Sequence, residues 1–110
     1  MRAPNKVPEN GFYYHYKNNP EGAVNDYAYE VMGVGAHTED DCRPEDVYMV
    51  VYRPLYESSV YKAGKLFDLR PLEMWMRDVT KDGKTFPRFT KIMDAEKISA
   101  LELIKKEMYK

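Results

Sequence analysis

Three arginines stand beside prolines: Arg53-Pro54, Arg70-Pro71 and Pro87-Arg88. A residue that precedes proline is pushed toward extended backbone. Arg53 and Arg70 are therefore expected on fixed backbone at strand ends. A guanidinium held this way loses less freedom when it grips a phosphate or a carboxylate. Adjacent antiparallel strands end at opposite edges of a sheet, so the spacing does not require the three to converge. The alternative for each is structural: stacking on Tyr or pairing with Glu.

The two histidines offer other chemistry. His37 with Glu39 could act as a general base and the carboxylate that orients it, since histidine titrates near neutral pH. No nucleophile is evident beside them. His15 lies in an aromatic stretch, where a hydrogen-bonded structural role is the simpler reading. His15, His37 and a carboxylate lack the spacing of known metal sites, so no metal is expected. Cys42 sits in the acidic run Glu39-Asp40-Asp41-Cys42-Arg43. Neighbouring carboxylates oppose a reactive thiolate there. There is no phosphate-binding glycine loop, serine elbow or Walker motif, and no cofactor is implied.

A third pattern interleaves aromatic and basic side chains. Tyr13, His15 and Lys17 alternate with Phe12, Tyr14 and Tyr16, so in a strand each set takes one face. An aromatic and basic face can stack nucleic-acid bases. The plainer alternative is a face covered by the terminal helix.

The elements that must position these residues are mostly strands. Five are expected, at residues 12–17, 27–36, 47–53, 65–70 and 85–92. They are rich in aromatic and β-branched residues and separated by turn signals such as Asp82-Gly83. Gly33 and Gly35 could mark a bulge. Residues 72–76 read as a helical turn packing Met74 and Trp75 inward. Asp94 reads as an N-cap for a helix over 95–109, with Ile98, Leu101, Ile104 and Met108 on one face. Residues 1–10 are expected to be a flexible arm, 11–93 a domain, and 94–110 a helix packed on it or extending from it. The fold class is mainly β: a small barrel or roll of about five strands with a C-terminal α-helix.

The 110 residues suffice for one core. Seventeen basic and 18 acidic residues leave a net charge of −1, which opposes nonspecific DNA binding by bulk charge. Ten tyrosines stand against four Phe and one Trp. Tyrosine suits both a half-buried sheet and a recognition surface. One cysteine forbids an internal disulfide and fits a reducing compartment. The first ten residues lack the apolar run of a signal peptide, and no stretch is long enough to cross a membrane. A cytoplasmic location is expected.

Several pieces of the chain carry a resemblance. They are Gly11-Phe12-Tyr13-Tyr14-His15-Tyr16-Lys17, Tyr29-Glu30-Val31 with Gly33, and Ala36-His37-Thr38-Glu39. Further on come Val50-Val51-Tyr52-Arg53-Pro54-Leu55-Tyr56, Arg70-Pro71 with Met74, and Pro87-Arg88-Phe89. In this order, over residues 11–92, they resemble a bacterial family of small domains of unknown function, number 1653. The resemblance implies an SH3-like barrel and no particular activity, cofactor or partner. The chain departs from that pattern in longer connections at 18–26 and 57–65, in Trp75 where Phe is expected, and in the terminal helix.

The leading expectation is a non-catalytic binding module for an anionic ligand: nucleic acid, nucleotide or peptide carboxylate. Its surface would comprise Tyr16, His37, Arg53, Arg70 and Arg88. One alternative is a small hydrolase or lyase using His37 as base with Glu39. Another is a protein-interaction or homodimer module acting through the terminal helix.

Overall fold

A computed structural model describes residues 4, 6–39 and 47–110. Cys42 lies outside these residues. Strands β1 (Gly11–His15), β2 (Ala28–Ala36) and β3 (Tyr48–Pro54) are followed by a short helix α1 (Ser59–Lys62). Then come β4 (Asp68–Pro71), α2 (Leu72–Met76), β5 (Asp78–Lys81), β6 (Lys84–Pro87), β7 (Phe89–Lys91) and α3 (Ala95–Met108). All strand pairs are antiparallel, in one five-stranded sheet of order β4-β3-β2-β1-β7 and one hairpin, β5-β6. The class is mainly β with a C-terminal helix. Among the described residues the large sheet has two edges, β4 and β7, so it is an open roll.

The strand expected over 85–92 is two strands. Lys84–Pro87 pairs with β5, while Phe89–Lys91 crosses to β1. Pro87 has no N–H with which to continue a ladder, so the chain changes partners there. Arg88 sits at the switch. The hairpin turn has Asp82 at φ 52° and Gly83 at φ 76°. Left-handed conformations at both central residues match the right-handed strand twist, which is why the Asp-Gly pair was legible. In β2, Val31 faces Tyr52 and Gly33 faces Val51, so Met32 is the extra residue of a bulge.

Both faces of the large sheet are covered. On one, Phe12, Ala28, Leu55 and Ile92 pack against Leu101 of α3, with Tyr14, Ile98 and Ile104 around them. Helix α3 begins where Asp94 accepts the Lys97 N–H at 3.0 Å. Its apolar stripe faces the sheet, and Leu103, off the stripe, is exposed. Full burial of a leucine such as Leu101 is worth about 1.5–3 kcal/mol. No helix among the described residues is long and apolar enough to cross a membrane.

On the other face, Tyr13, Val31, Val50, Tyr52 and Phe89 pack under Leu72 and Trp75 of α2. Trp75 is inward as expected, but Met74 is 39% exposed. A helix of five residues has room for one inward pair three apart, and Leu72 and Trp75 take it. The Tyr13 and His15 face is therefore covered by α2 at one end, while the terminal helix covers the opposite face.

Candidate functional site

Beyond the cover of α2, the second face ends in a cluster of polar aromatic and charged side chains. His15 comes from the end of β1, Tyr29 from β2, Tyr52 from β3, and Asp68 and Arg70 from β4. Tyr27 and Tyr56 join from the segments flanking β2 and β3. Tyr16 and Arg88 are tied by the Tyr16 N–H donating to the Arg88 carbonyl at 2.9 Å. Antiparallel register creates this meeting: His15 lies opposite Phe89, and Tyr52 lies opposite Asp68.

The hydrogen bonds join these groups pairwise. Tyr29 and Tyr56 share one between their hydroxyls. Arg70 Nε donates to the Tyr52 hydroxyl at 3.2 Å, and the Arg70 guanidinium lies 5.3 Å from the centre of the Phe89 ring. The Lys17 N–H donates to His15 Nδ1 at 3.1 Å. That contact occupies the Nδ1 lone pair, so neutral His15 carries its proton on Nε2 and is a donor. The Nε of Arg88 is buried and has no hydrogen-bond acceptor among the described residues. A buried donor left unpaired costs about 1–3 kcal/mol.

Burial shifts the ionisations. It pushes the Tyr29 phenol well up, reinforced by the bond to Tyr56. It raises the Asp68 carboxyl as well, opposed by Arg70. For His15, burial and then the charges of Arg70, Arg88 and Lys17 lower the pKa to about 4. Unfolded histidine takes its proton near pH 6.5. Between about pH 6.5 and 4 the unfolded chain thus binds the extra proton, and stability falls as the pH falls. His15 is partly open to solvent, so screening reduces the loss to on the order of 1–2 kcal/mol. Titration of the His15 ring by NMR should show a midpoint near 4. That midpoint should climb when Arg70 and Arg88 are replaced by Ala. A wild-type midpoint at the ordinary value would mean a solvated ring, remote from both arginines.

Of the five residues expected to bind ligand, Tyr16, Arg70 and Arg88 come together around His15. Arg53 does not join them. It points to the α3 face, where its Nε donates to Glu30 Oε1 at 2.9 Å and its guanidinium lies 3.9 Å from the centre of the Tyr109 ring. His37 follows the far end of the nine-residue β2, roughly 30 Å along the strand from Ala28. It opens onto a cavity of about 330 Å³ lined also by Gly35, Met49, Val51 and Leu69. Glu39 touches the ring through its main-chain N–H, which donates to His37 Nδ1 at 3.0 Å. That bond engages the Nδ1 lone pair and favours the tautomer with its proton on Nε2.

Sequence reading did not single out Tyr27, Tyr56 or Asp68 for this site. Tyr27 carried no signal, since its φ of 51° is foreign to a bulky residue. Asp68 lay in an expected strand, and only the β3–β4 register puts it beside Tyr52.

A family model described as "Protein of unknown function (DUF1653)" matches residues 11–91. No curated protein and no solved structure gives a significant match. The matched span runs from the first residue of β1 to the last of β7, taking in the seven strands of the described residues and every residue of the His15 cluster. The chain belongs to the DUF1653 family of proteins of unknown function.

Proposed function

We propose that this protein is a binding module whose ligand is anionic and rich in hydrogen-bond acceptors, held at the His15 cluster by Arg70, Arg88 and Tyr16. The observation that carries the reading is the buried Arg88 Nε with no acceptor among the described residues. Arg70 and neutral His15 add further donors beside it. A phosphate or carboxylate oxygen supplies the acceptor that Arg88 Nε lacks, and charge-assisted bonds of this kind are worth about 1.5–3 kcal/mol each. Asp68, on the Arg70 side, keeps the site from being uniformly basic. That fits a ligand with a donor of its own beside its anionic group.

Inorganic tripolyphosphate is a suitable first probe. It should raise the unfolding midpoint of the wild-type protein. Arg70→Ala or Arg88→Ala should each weaken binding about 10- to 100-fold. Arg53→Ala should weaken binding little, because that side chain lies on the opposite face. Equal loss in all three variants would mean a bulk-charge effect, and the assignment to this cluster would fall.

A further inference from the structure

The cluster has an outer rim of rings. Phe86 and Tyr16 have centroids 5.6 Å apart, Tyr16 and His15 4.4 Å, His15 and Tyr27 5.7 Å, and Tyr27 and Tyr56 6.1 Å. None of the five is fully buried, and Tyr27, between His15 and Tyr56, is the most open, at 37%. Arg70 and Arg88 lie beside the His15 and Tyr16 portion, and Lys17 follows in the chain. We propose that this rim is a platform for single-stranded nucleic acid, with unpaired bases resting on Tyr16, Tyr27 and their neighbours and the backbone phosphates on Arg70 and Arg88. The proposal rests on the anionic-ligand reading and names the ligand class.

Three observations carry it. First, the rings form a row, and a single phosphate or carboxylate has no use for a row. Their spacing exceeds the 3.4 Å rise of a stacked strand. Each base would therefore rest on its own ring, as splayed single strands do. Second, Tyr27 has φ 51°, a left-handed conformation that costs a bulky residue on the order of 1–2 kcal/mol. The strain is held in place: the His15 N–H donates to the Tyr27 carbonyl at 3.0 Å, and Asn25 Nδ2 donates to the Leu55 carbonyl at 2.9 Å. A glycine there would form the turn more easily, so what the tyrosine adds is its ring at the rim. Third, the charge is local. The whole chain carries −1, yet this edge gathers Lys17, Arg70 and Arg88. Two or three phosphate contacts suit a short strand bound chiefly by stacking.

The test uses fluorescein-labelled U6 RNA and dT6 DNA, an RNA duplex and tripolyphosphate, each titrated against the full chain. U6 or dT6 should bind more tightly than tripolyphosphate, with a log–log salt slope of about −1.4 to −2 for two to three contacts. Tyr27→Gly, which suits the backbone, and Tyr16→Ala should each weaken the hexamers by about 5- to 100-fold. Tyr27→Gly, at a ring outside the anion contacts, should leave tripolyphosphate binding unchanged. Preference between U6 and dT6 says whether the ribose hydroxyl is read. Hexamers no tighter than tripolyphosphate, a duplex bound equally well, or hexamer affinity unchanged in both tyrosine variants would overturn the platform. Tripolyphosphate binding that still depends on Arg70 and Arg88 would then leave the anion site standing. Loss of that dependence as well would remove both readings.

Discussion

Replacing Trp75 by Ala should cost about 3–5 kcal/mol, the largest loss expected from any single truncation in this domain. Trp75 is 3% exposed and stacks on Phe89 with centroids 3.6 Å apart and an interplanar angle of 4°. Tyr13 and Tyr52 meet it edge-on at 5.6 and 4.9 Å. Helix α2 has little else to hold it. It spans five residues, and its N-cap, Pro71, makes no side-chain bond. Its place on the sheet therefore depends on Leu72 and Trp75. Total stabilities of small domains are about 5–15 kcal/mol, so the variant would lose a large share of its margin. Urea denaturation followed by circular dichroism is the measurement, since the substitution removes the only tryptophan. Trp75→Phe keeps a ring in the stack and should cost much less. A loss under about 1 kcal/mol for Trp75→Ala would mean that α2 does not close this face.

The same stack explains which parts of the molecule were legible in its sequence. β1 and β3 are dense in aromatic and β-branched residues, and local preference and tertiary need agree there. Helix α3 announced itself by Asp94 and a regular apolar stripe. The hairpin turn was readable because Asp82-Gly83 supplies its backbone. The split of the last strand was harder. Its alternation looked continuous, and only a missing N–H at Pro87 separates two partners.

The candidate site was less legible, for a related reason. Whether side chains meet depends on strand register, and register comes from pairs distant in sequence. Arg53 and Arg70 both precede a proline at a strand end and look alike in sequence. One has Glu30 as its cross-strand neighbour and turns to α3, whereas the other lies opposite Val50 and turns to the aromatic face. One residue of alternation decides the face. The two structural roles open to these arginines, pairing with Glu and stacking on Tyr, are both filled by Arg53.

Glu30→Ala should be the second most damaging change, at about 2–4 kcal/mol. The Glu30 side chain is 13% exposed and accepts from Arg53 Nε and Lys105 Nζ, each at 2.9 Å. Removing it leaves two cations facing each other with little water to separate them. Breaking a buried pair by deleting one partner typically costs about 3–5 kcal/mol. Arg53 and Lys105 keep side-chain exposures of 17% and 29%, which lowers the figure here. The bond to Glu30 also raises the Lys105 pKa. This stabilisation is complete below the ordinary lysine range and fades only as the pH climbs above it, so assays near neutrality see all of it. Because Glu30 bridges β2, β3 and α3, its loss should loosen the helix from the sheet. A double-mutant cycle checks the assignment: Arg53→Ala in the Glu30→Ala background should cost at least about 1 kcal/mol less than in the wild type. The His15 cluster lies on the opposite face, so tripolyphosphate affinity should survive wherever the variant stays folded. Additive losses would show that Arg53 gains its hold from Tyr109 alone. Lost affinity in a folded Glu30 variant would show that the two faces are coupled through the sheet.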